Sequence, residues 1–63
     1  MKILVRRTSN RTNFTKWDDL IYIPADSNNI KTVKWKDFTV EPGVFYQYAF
    51  IQCNQNNDLL KTY

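Results

Sequence analysis

The chain has 63 residues, with nine Lys/Arg against six Asp/Glu and a formal net charge of +3. So short a chain forms one domain at most, and its single cysteine and lack of histidine exclude an internal disulfide and a Cys/His zinc site. A hydrophobic fraction of 43% is too high for a disordered chain, and no apolar run is long enough for a membrane span. We therefore expect a folded module over residues 1–63, with no membrane insertion, metal or other cofactor.

Two apolar, β-branched segments separated by a polar loop open the chain. Residues 2–8 and 19–23 are predicted as strands, because short runs of this composition bounded by turn residues favour β-structure. Residues 9–16 are rich in Asn and Thr, which favour turns by bonding to their own backbone. Pro24 is expected to end the second strand, since proline cannot donate to a sheet ladder.

A third strand is predicted over residues 32–40, whose apolar side chains alternate imperfectly. Their parity changes halfway, and a β-bulge near Asp37 would return them to one face. Such a strand would run directly into the turn formed by Pro42 and Gly43. Proline presets the first corner of that turn, and glycine accepts the positive φ that follows.

Residues 45–52 alternate between two faces, and a polar segment follows them. Residues 44–53 are predicted as a strand, residues 54–58 as a hairpin loop and residues 59–63 as the start of a final strand. No segment shows an apolar period of 3.6 residues, so we expect no helix longer than about two turns. Short strands joined by frequent turns are typical of an all-β sandwich or small barrel.

The turn and the strand after it resemble the E–F corner of fibronectin type III domains. The shared pattern is an apolar residue, Pro-Gly and then a tyrosine, carried here by Val40, Pro42, Gly43 and Tyr46. The resemblance implies that Val40 is an apolar plug and that Tyr46 has a buried ring with its hydroxyl bonded to nearby backbone. It also implies an all-β, fibronectin type III-like (immunoglobulin-like) antiparallel sandwich.

A longer stretch, residues 35–43, resembles fibronectin-like segments of minor structural and tail proteins of bacteriophages. Residues 5–9 and 14–17 resemble the upstream strands of the same proteins. The resemblance implies a non-catalytic structural or adhesion module of a virion, assembled in the host cytoplasm and packed against other virion proteins or neighbouring subunits. A full domain has seven strands in about 100 residues. Residues 1–63 supply only strands C to the start of G, so we expect an incomplete sandwich. We favour a fragment of a longer chain over strands borrowed from a neighbour.

Catalysis is not expected from this residue inventory. Cys53 has no histidine to activate it, and a chain with a single glycine cannot form a Gly-rich phosphate loop. We expect Cys53 to be a small buried apolar residue at a strand end.

Two other functions compete with the virion module. In a basic nucleic-acid-binding protein, Phe14 and Trp17 would stack on bases. The cations near the same end of the chain would bind phosphate, and these are Arg6, Arg7, Arg11 and Lys16. The interspersed acidic residues and small net charge argue against it. The second alternative is a fibronectin-like spacer module of a bacterial surface protein. Phe14, Trp17 and Arg11 could also contact host-surface carbohydrate, although packing of the two aromatic rings over the sandwich edge is favoured.

Overall fold

The computed structural model of the chain describes residues 1–26 and 34–63. They contain four strands and one short 3-10 turn, Asn10–Thr12, which follows the first strand. The strands are β1 (Lys2–Ser9), β2 (Asp18–Pro24), β3 (Tyr46–Cys53) and β4 (Leu59–Thr62). They form one antiparallel sheet in the order β2-β1-β3-β4, so the first strand of the chain lies inside the sheet.

The all-β antiparallel class predicted from the sequence is confirmed, and four predicted strands are found with small shifts at their ends. Pro24 is the last residue of β2, where it pairs with Lys2 on the edge of the sheet. A proline is tolerated at such a position because its missing N–H breaks no internal ladder bond. Among residues 1–26 and 34–63, no helix is long and apolar enough to cross a membrane.

The strand predicted over residues 32–40 is wrong for residues 34–40, which form no strand. Residues 32 and 33 lie outside the described residues. The side chain of Asp37 accepts hydrogen bonds from the Thr39 backbone N–H and hydroxyl, and such local bonds turn the chain away from a ladder. The predicted bulge near Asp37 is likewise wrong, and Phe38 is 88% exposed instead of facing inward. Register shifts occur elsewhere, between Val5 and Arg6 and between Gln52 and Cys53.

The core lies where the first half of β1 pairs with the end of β3. Leu4 faces Ile51 across the β1–β3 ladder, and both pack with Cys53, which is buried as expected. Side chains alternate along a strand, so Ile3 and Val5 are buried on the opposite face. Further along β1, Thr8 is buried, and its hydroxyl has no hydrogen-bond partner among residues 1–26 and 34–63.

Two loops bring the Pro42–Gly43 turn to the end of β1. The Ser9 side chain accepts from the Arg11 backbone N–H and begins the 3-10 turn. Asn10 then bonds to Phe45 twice, through its backbone N–H to the Phe45 carbonyl at 3.1 Å and through its side-chain oxygen to the Phe45 N–H at 3.2 Å. The end of β1 and the start of β3 are thereby fixed together beside the turn.

The hairpin loop predicted over residues 54–58 is confirmed. Its ends are joined by a bond from the Asn54 N–H to the Asp58 carbonyl at 3.1 Å, and the Asn54 side chain accepts from the N–H groups of Asn56 and Asp58. This loop lies at the other end of β3, away from the Pro42–Gly43 turn.

Candidate functional site

A group of polar side chains lies on one face of the sheet, near the end of β1. It consists of Arg7, Asp37, Thr39 and Tyr48, and we call it the Asp37 cluster. Arg7 and Tyr48 are directly opposite each other in the β1–β3 ladder, so their side chains leave the sheet on the same face. Asp37 comes from the segment after the undescribed residues and bonds to both.

All the bonds of the Asp37 cluster converge on one carboxylate. Arg7 Nη1 donates to Asp37 Oδ2 at 2.7 Å, and the Tyr48 hydroxyl donates to the same oxygen at 2.6 Å. The other oxygen, Oδ1, accepts from the Thr39 N–H at 2.8 Å and from the Thr39 hydroxyl at 2.6 Å. Arg7 Nη1 also donates to Thr39 Oγ1 at 2.7 Å, which closes the network.

Burial decides how strong these bonds are. The Asp37 side chain is 7% exposed and that of Arg7 is 19% exposed, so this ion pair is much less screened than a surface pair. Burial alone raises the pKa of the Asp37 carboxyl. The hydrogen bonds from Thr39, Tyr48 and Arg7 outweigh that effect and hold the pKa well below its usual range.

The pKa values of Tyr48 and Arg7, the partners of Asp37, are raised. Burial, followed by the bond to Asp37, raises the pKa of the Tyr48 phenol. The bond to Asp37 also raises the pKa of the Arg7 guanidinium, against the effect of burial. The bonds of Asp37 to Arg7, Tyr48 and Thr39 hold residues 37–39 on the sheet.

Aromatic rings surround the Asp37 cluster. The Arg7 guanidinium carbon lies 4.8 Å from the centre of the Tyr46 ring, a cation–π distance. Trp35 meets Tyr48 edge to face at 6.1 Å between centroids, and Tyr46 lies 6.4 Å from Tyr48. The Tyr46 ring therefore packs on the guanidinium of Arg7, whose side chain is 19% exposed.

The expected bond of the corner tyrosine is present: the Glu41 backbone N–H donates to the Tyr46 hydroxyl at 2.8 Å. Gly43 has the positive φ, 79°, that the Pro-Gly turn requires, and the Val44 N–H closes the turn onto the Glu41 carbonyl at 3.3 Å. The ring of Tyr46 is half-buried. Val40, expected as an apolar plug, is 50% exposed, because the described strands form a single sheet with no second layer beside the turn.

The three loop residues expected at a contact surface differ in their exposure and in their contacts. Arg11 forms an ion pair with Glu41, which ties the 3-10 turn to the Pro42–Gly43 turn. Phe14 is half-buried and follows Asn13 in the left-handed backbone region, and Trp17 is exposed just before β2. The favoured packing of the two rings over a sheet edge therefore stays a prediction.

The cations considered for nucleic-acid binding are largely neutralised. Arg6 pairs with Asp19 at 2.7 Å, and Arg7 and Arg11 pair with Asp37 and Glu41. Affinity for phosphate backbones depends on free Lys and Arg side chains that displace counterions. Three internal ion pairs at this end of the sheet leave little such charge.

The sequence pattern does not predict the Asp37 cluster, because it places Asp37 at a strand bulge and Arg7 among cations near one end of the chain. One local signal was available, because an Asp followed two residues later by Thr is typical of a side-chain-to-backbone turn. The partnership of Arg7 with Tyr48 depends on the β1–β3 register, which joins opposite ends of the chain.

No protein-family model, curated protein or solved structure matches the chain. The resemblance to fibronectin type III domains and bacteriophage proteins therefore rests on the sequence motifs alone.

Proposed function

We propose that this chain is a non-catalytic packing module, a structural part of a bacteriophage tail or appendage that binds neighbouring subunits through apolar surface. In this proposal the sheet is part of a fibronectin type III-like sandwich whose second layer comes from flanking residues or from a neighbour. The module is assembled in the host cytoplasm and remains in the virion. The virion assignment is supported by the resemblance of residues 35–43.

The observation that carries the proposal is the exposure of three apolar side chains that lie close in sequence to the Pro42–Gly43 turn. Phe38 is 88% exposed and Phe45 is 72% exposed, and Val40 between them is half exposed. Scattered apolar side chains are common on protein surfaces, but several large ones within residues 38–45 are typical of an interaction site. Burying one phenylalanine side chain gains about 1.5–3 kcal/mol, so a partner that covered both would gain substantially.

The architecture of the described residues supports the same conclusion. Stable domains bury the apolar face of a sheet against a second layer. Here β2 and β4 are edge strands, and both expose large side chains: Ile21, Tyr22, Leu59 and Leu60. A second layer or an added strand from a neighbour would cover this surface.

The assembly proposal is tested by measuring the mass of the full chain by sedimentation at increasing protein concentration. We expect the mass and the melting temperature to rise together, because association stabilises the folded state by mass action. A Phe38→Ser, Phe45→Ser double variant should stay monomeric with a concentration-independent melting temperature. A matched variant at exposed polar positions, Lys36→Ser with Gln47→Ser, should behave like the parent.

A monomeric parent with a cooperative, concentration-independent transition would overturn the proposal. A salt-dependent shift of DNA mobility by the parent chain would favour the nucleic-acid alternative instead.

A further inference from the structure

An open pocket of about 240 Å³ lies between the end of β1, the 3-10 turn and the Pro42–Gly43 turn. Its volume equals that of about eight water molecules in the liquid, and a single sugar ring would fit. Residues from four parts of the chain line it, among them Ser9, Arg11, Lys16, Asp18, Glu41 and Tyr46. The ion pair between Arg11 and Glu41 and the bonds between Asn10 and Phe45 hold these parts together.

The charges in and around this pocket cancel. The cations that line it are Arg7, Arg11 and Lys16, and the carboxylates that line it are Asp18 and Glu41. A third carboxylate, Asp37, lies beside the pocket and neutralises Arg7. A site for a free anion would need a surplus of positive charge, and a site for a cation would need the reverse. The pocket therefore favours a ligand without net charge.

The lining keeps unused hydrogen-bonding capacity of both kinds. The Tyr46 hydroxyl accepts from the Glu41 N–H and retains its own proton for donation, and the same holds for the Ser9 hydroxyl, which accepts from Arg11. Lys16 and Asp18 have no ion-pair partner within residues 1–26 and 34–63. Lys16 offers N–H donors and Asp18 offers carboxylate acceptors, so donors and acceptors face the same space.

We infer that this pocket binds a neutral, polyhydroxylated ligand, namely one sugar unit of a carbohydrate. Each sugar hydroxyl donates one hydrogen bond and accepts others, which matches the mixed lining. An apolar ligand is disfavoured because small-molecule sites for such ligands are lined mainly by hydrophobic side chains, whereas every side chain that lines this pocket carries a charged or hydroxyl group. The inference does not depend on the assembly proposal, because none of its residues belongs to the apolar surface at Phe38 and Phe45.

The test is an NMR titration of the full chain, at a protein concentration where its amide spectrum is dispersed. Glucose, galactose and N-acetylglucosamine serve as neutral probes, with glucuronate and inorganic phosphate as charged probes. We expect saturable shifts with at least one neutral sugar, concentrated at the amides of Arg11, Thr12 and Glu41, and none with the charged probes.

Matched variants locate the binding. Lys16→Ala combined with Asp18→Ala should weaken sugar binding about tenfold, since it removes two exposed polar partners. Lys36→Ala, an equally exposed lysine outside the pocket, should leave it unchanged. Shifts that stay linear for all three sugars would overturn the inference, as would saturable binding of the charged probes alone or unweakened binding by the double variant.

Discussion

In the first half of β1, Ile3, Leu4 and Val5 are buried among apolar neighbours, whereas in the second half Arg6 and Arg7 pair with carboxylates. The first half gains stability from removal of apolar surface, which does not depend on pH. The second half positions the segment containing Asp37, through bonds that require a charged carboxylate. The first half of β1, the apolar half, therefore stabilises the fold, and the second half, the polar half, positions the segment that contains Asp37.

The largest expected effect lies in the apolar half. Leu4→Ala should lower the free energy of unfolding by about 3 kcal/mol, because it leaves a cavity beside Ile51 and Cys53. Domains of this size rarely have more than about 3–5 kcal/mol of net stability, so much of the variant should be unfolded. Urea unfolding followed by circular dichroism measures the change. Leu60→Ala on the exposed edge strand is the control and should change stability by less than about 0.5 kcal/mol. Equal losses in the two variants would contradict the assignment of the core.

The next largest loss of stability is expected in the polar half of β1, on removal of the Asp37 carboxylate. Asp37→Ala should cost about 2 kcal/mol, since Arg7 and Tyr48 lose their shared acceptor in a poorly hydrated place. Asp19→Ala is the matched control, because it removes the partner of Arg6 from an exposed ion pair worth less than about 1 kcal/mol. Urea midpoints of the two variants give the comparison. A loss for Asp19→Ala as large as that for Asp37→Ala would show that burial does not distinguish the two pairs.

The pH dependence of stability should come from the polar half. The folded pKa of Asp37 is depressed below the unfolded value of about 3.9. Its contribution is therefore present above that value and lost as the pH falls towards the folded pKa. The pKa of Tyr48 is raised, so its contribution is present below the unfolded value of about 10 and lost as the pH rises through the folded pKa.

Urea midpoints measured across the pH range test this expectation. Asp37→Asn should flatten the acid side of the profile and Tyr48→Phe the alkaline side, whereas Asp19→Asn should leave both nearly unchanged. An acid slope that is identical in the parent and in Asp37→Asn would show that other carboxylates determine it.

A smaller effect is expected at the turn. Tyr46→Phe should cost about 1 kcal/mol, because the Glu41 N–H loses its acceptor but can be hydrated. Tyr22→Phe is the control, since the cation–π contact of that ring with Lys2 does not need the hydroxyl. Thermal or urea unfolding measures both. Coincident curves for the parent and Tyr46→Phe would show that the hydroxyl bond does not stabilise the turn.

The smallest expected effect is a gain in stability, at the buried hydroxyl of Thr8. Thr8→Val should raise the free energy of unfolding by up to about 1 kcal/mol, because it replaces a buried hydroxyl, which has no partner in the part of the chain that the structure describes, with a methyl group of similar size. Ser9→Ala nearby should instead lower it, since the Ser9 hydroxyl accepts from Arg11. A loss of stability in Thr8→Val would mean that the hydroxyl has a partner in solution.

The strands could be predicted from the sequence, whereas the segment that contains Asp37 could not. Strands 2–8, 19–23 and 44–53 were identified from local composition and alternation, which depend on residues close together in the chain. Residues 34–40 were misassigned because their apolar residues have strand propensity, while Asp37 and Thr39 turn the backbone. The alternation pattern reports burial on a strand face but not a competing side-chain bond.

The site was less predictable than the fold. The bond of Tyr46 to nearby backbone follows from the short motif within residues 40–46, so neighbouring residues are enough to predict it. The Asp37 cluster joins β1, β3 and an irregular segment, and its geometry depends on the register between Arg7 and Tyr48. No spacing within the sequence encodes that register, because the undescribed residues and two loops intervene.

The placement of β1 between β2 and β3 has a consequence for the order of folding. Lys2 pairs with Pro24 on one side and with Cys53 on the other, so one neighbour is close along the chain and the other is near its far end. Closing the longer loop costs more chain entropy, and topologies dominated by distant pairings fold slowly. We expect the β1–β2 hairpin to form first, with the other edge of β1 open until β3 docks. During synthesis that edge stays unpaired until Tyr46–Cys53 has been made, and for that time it can pair with other chains.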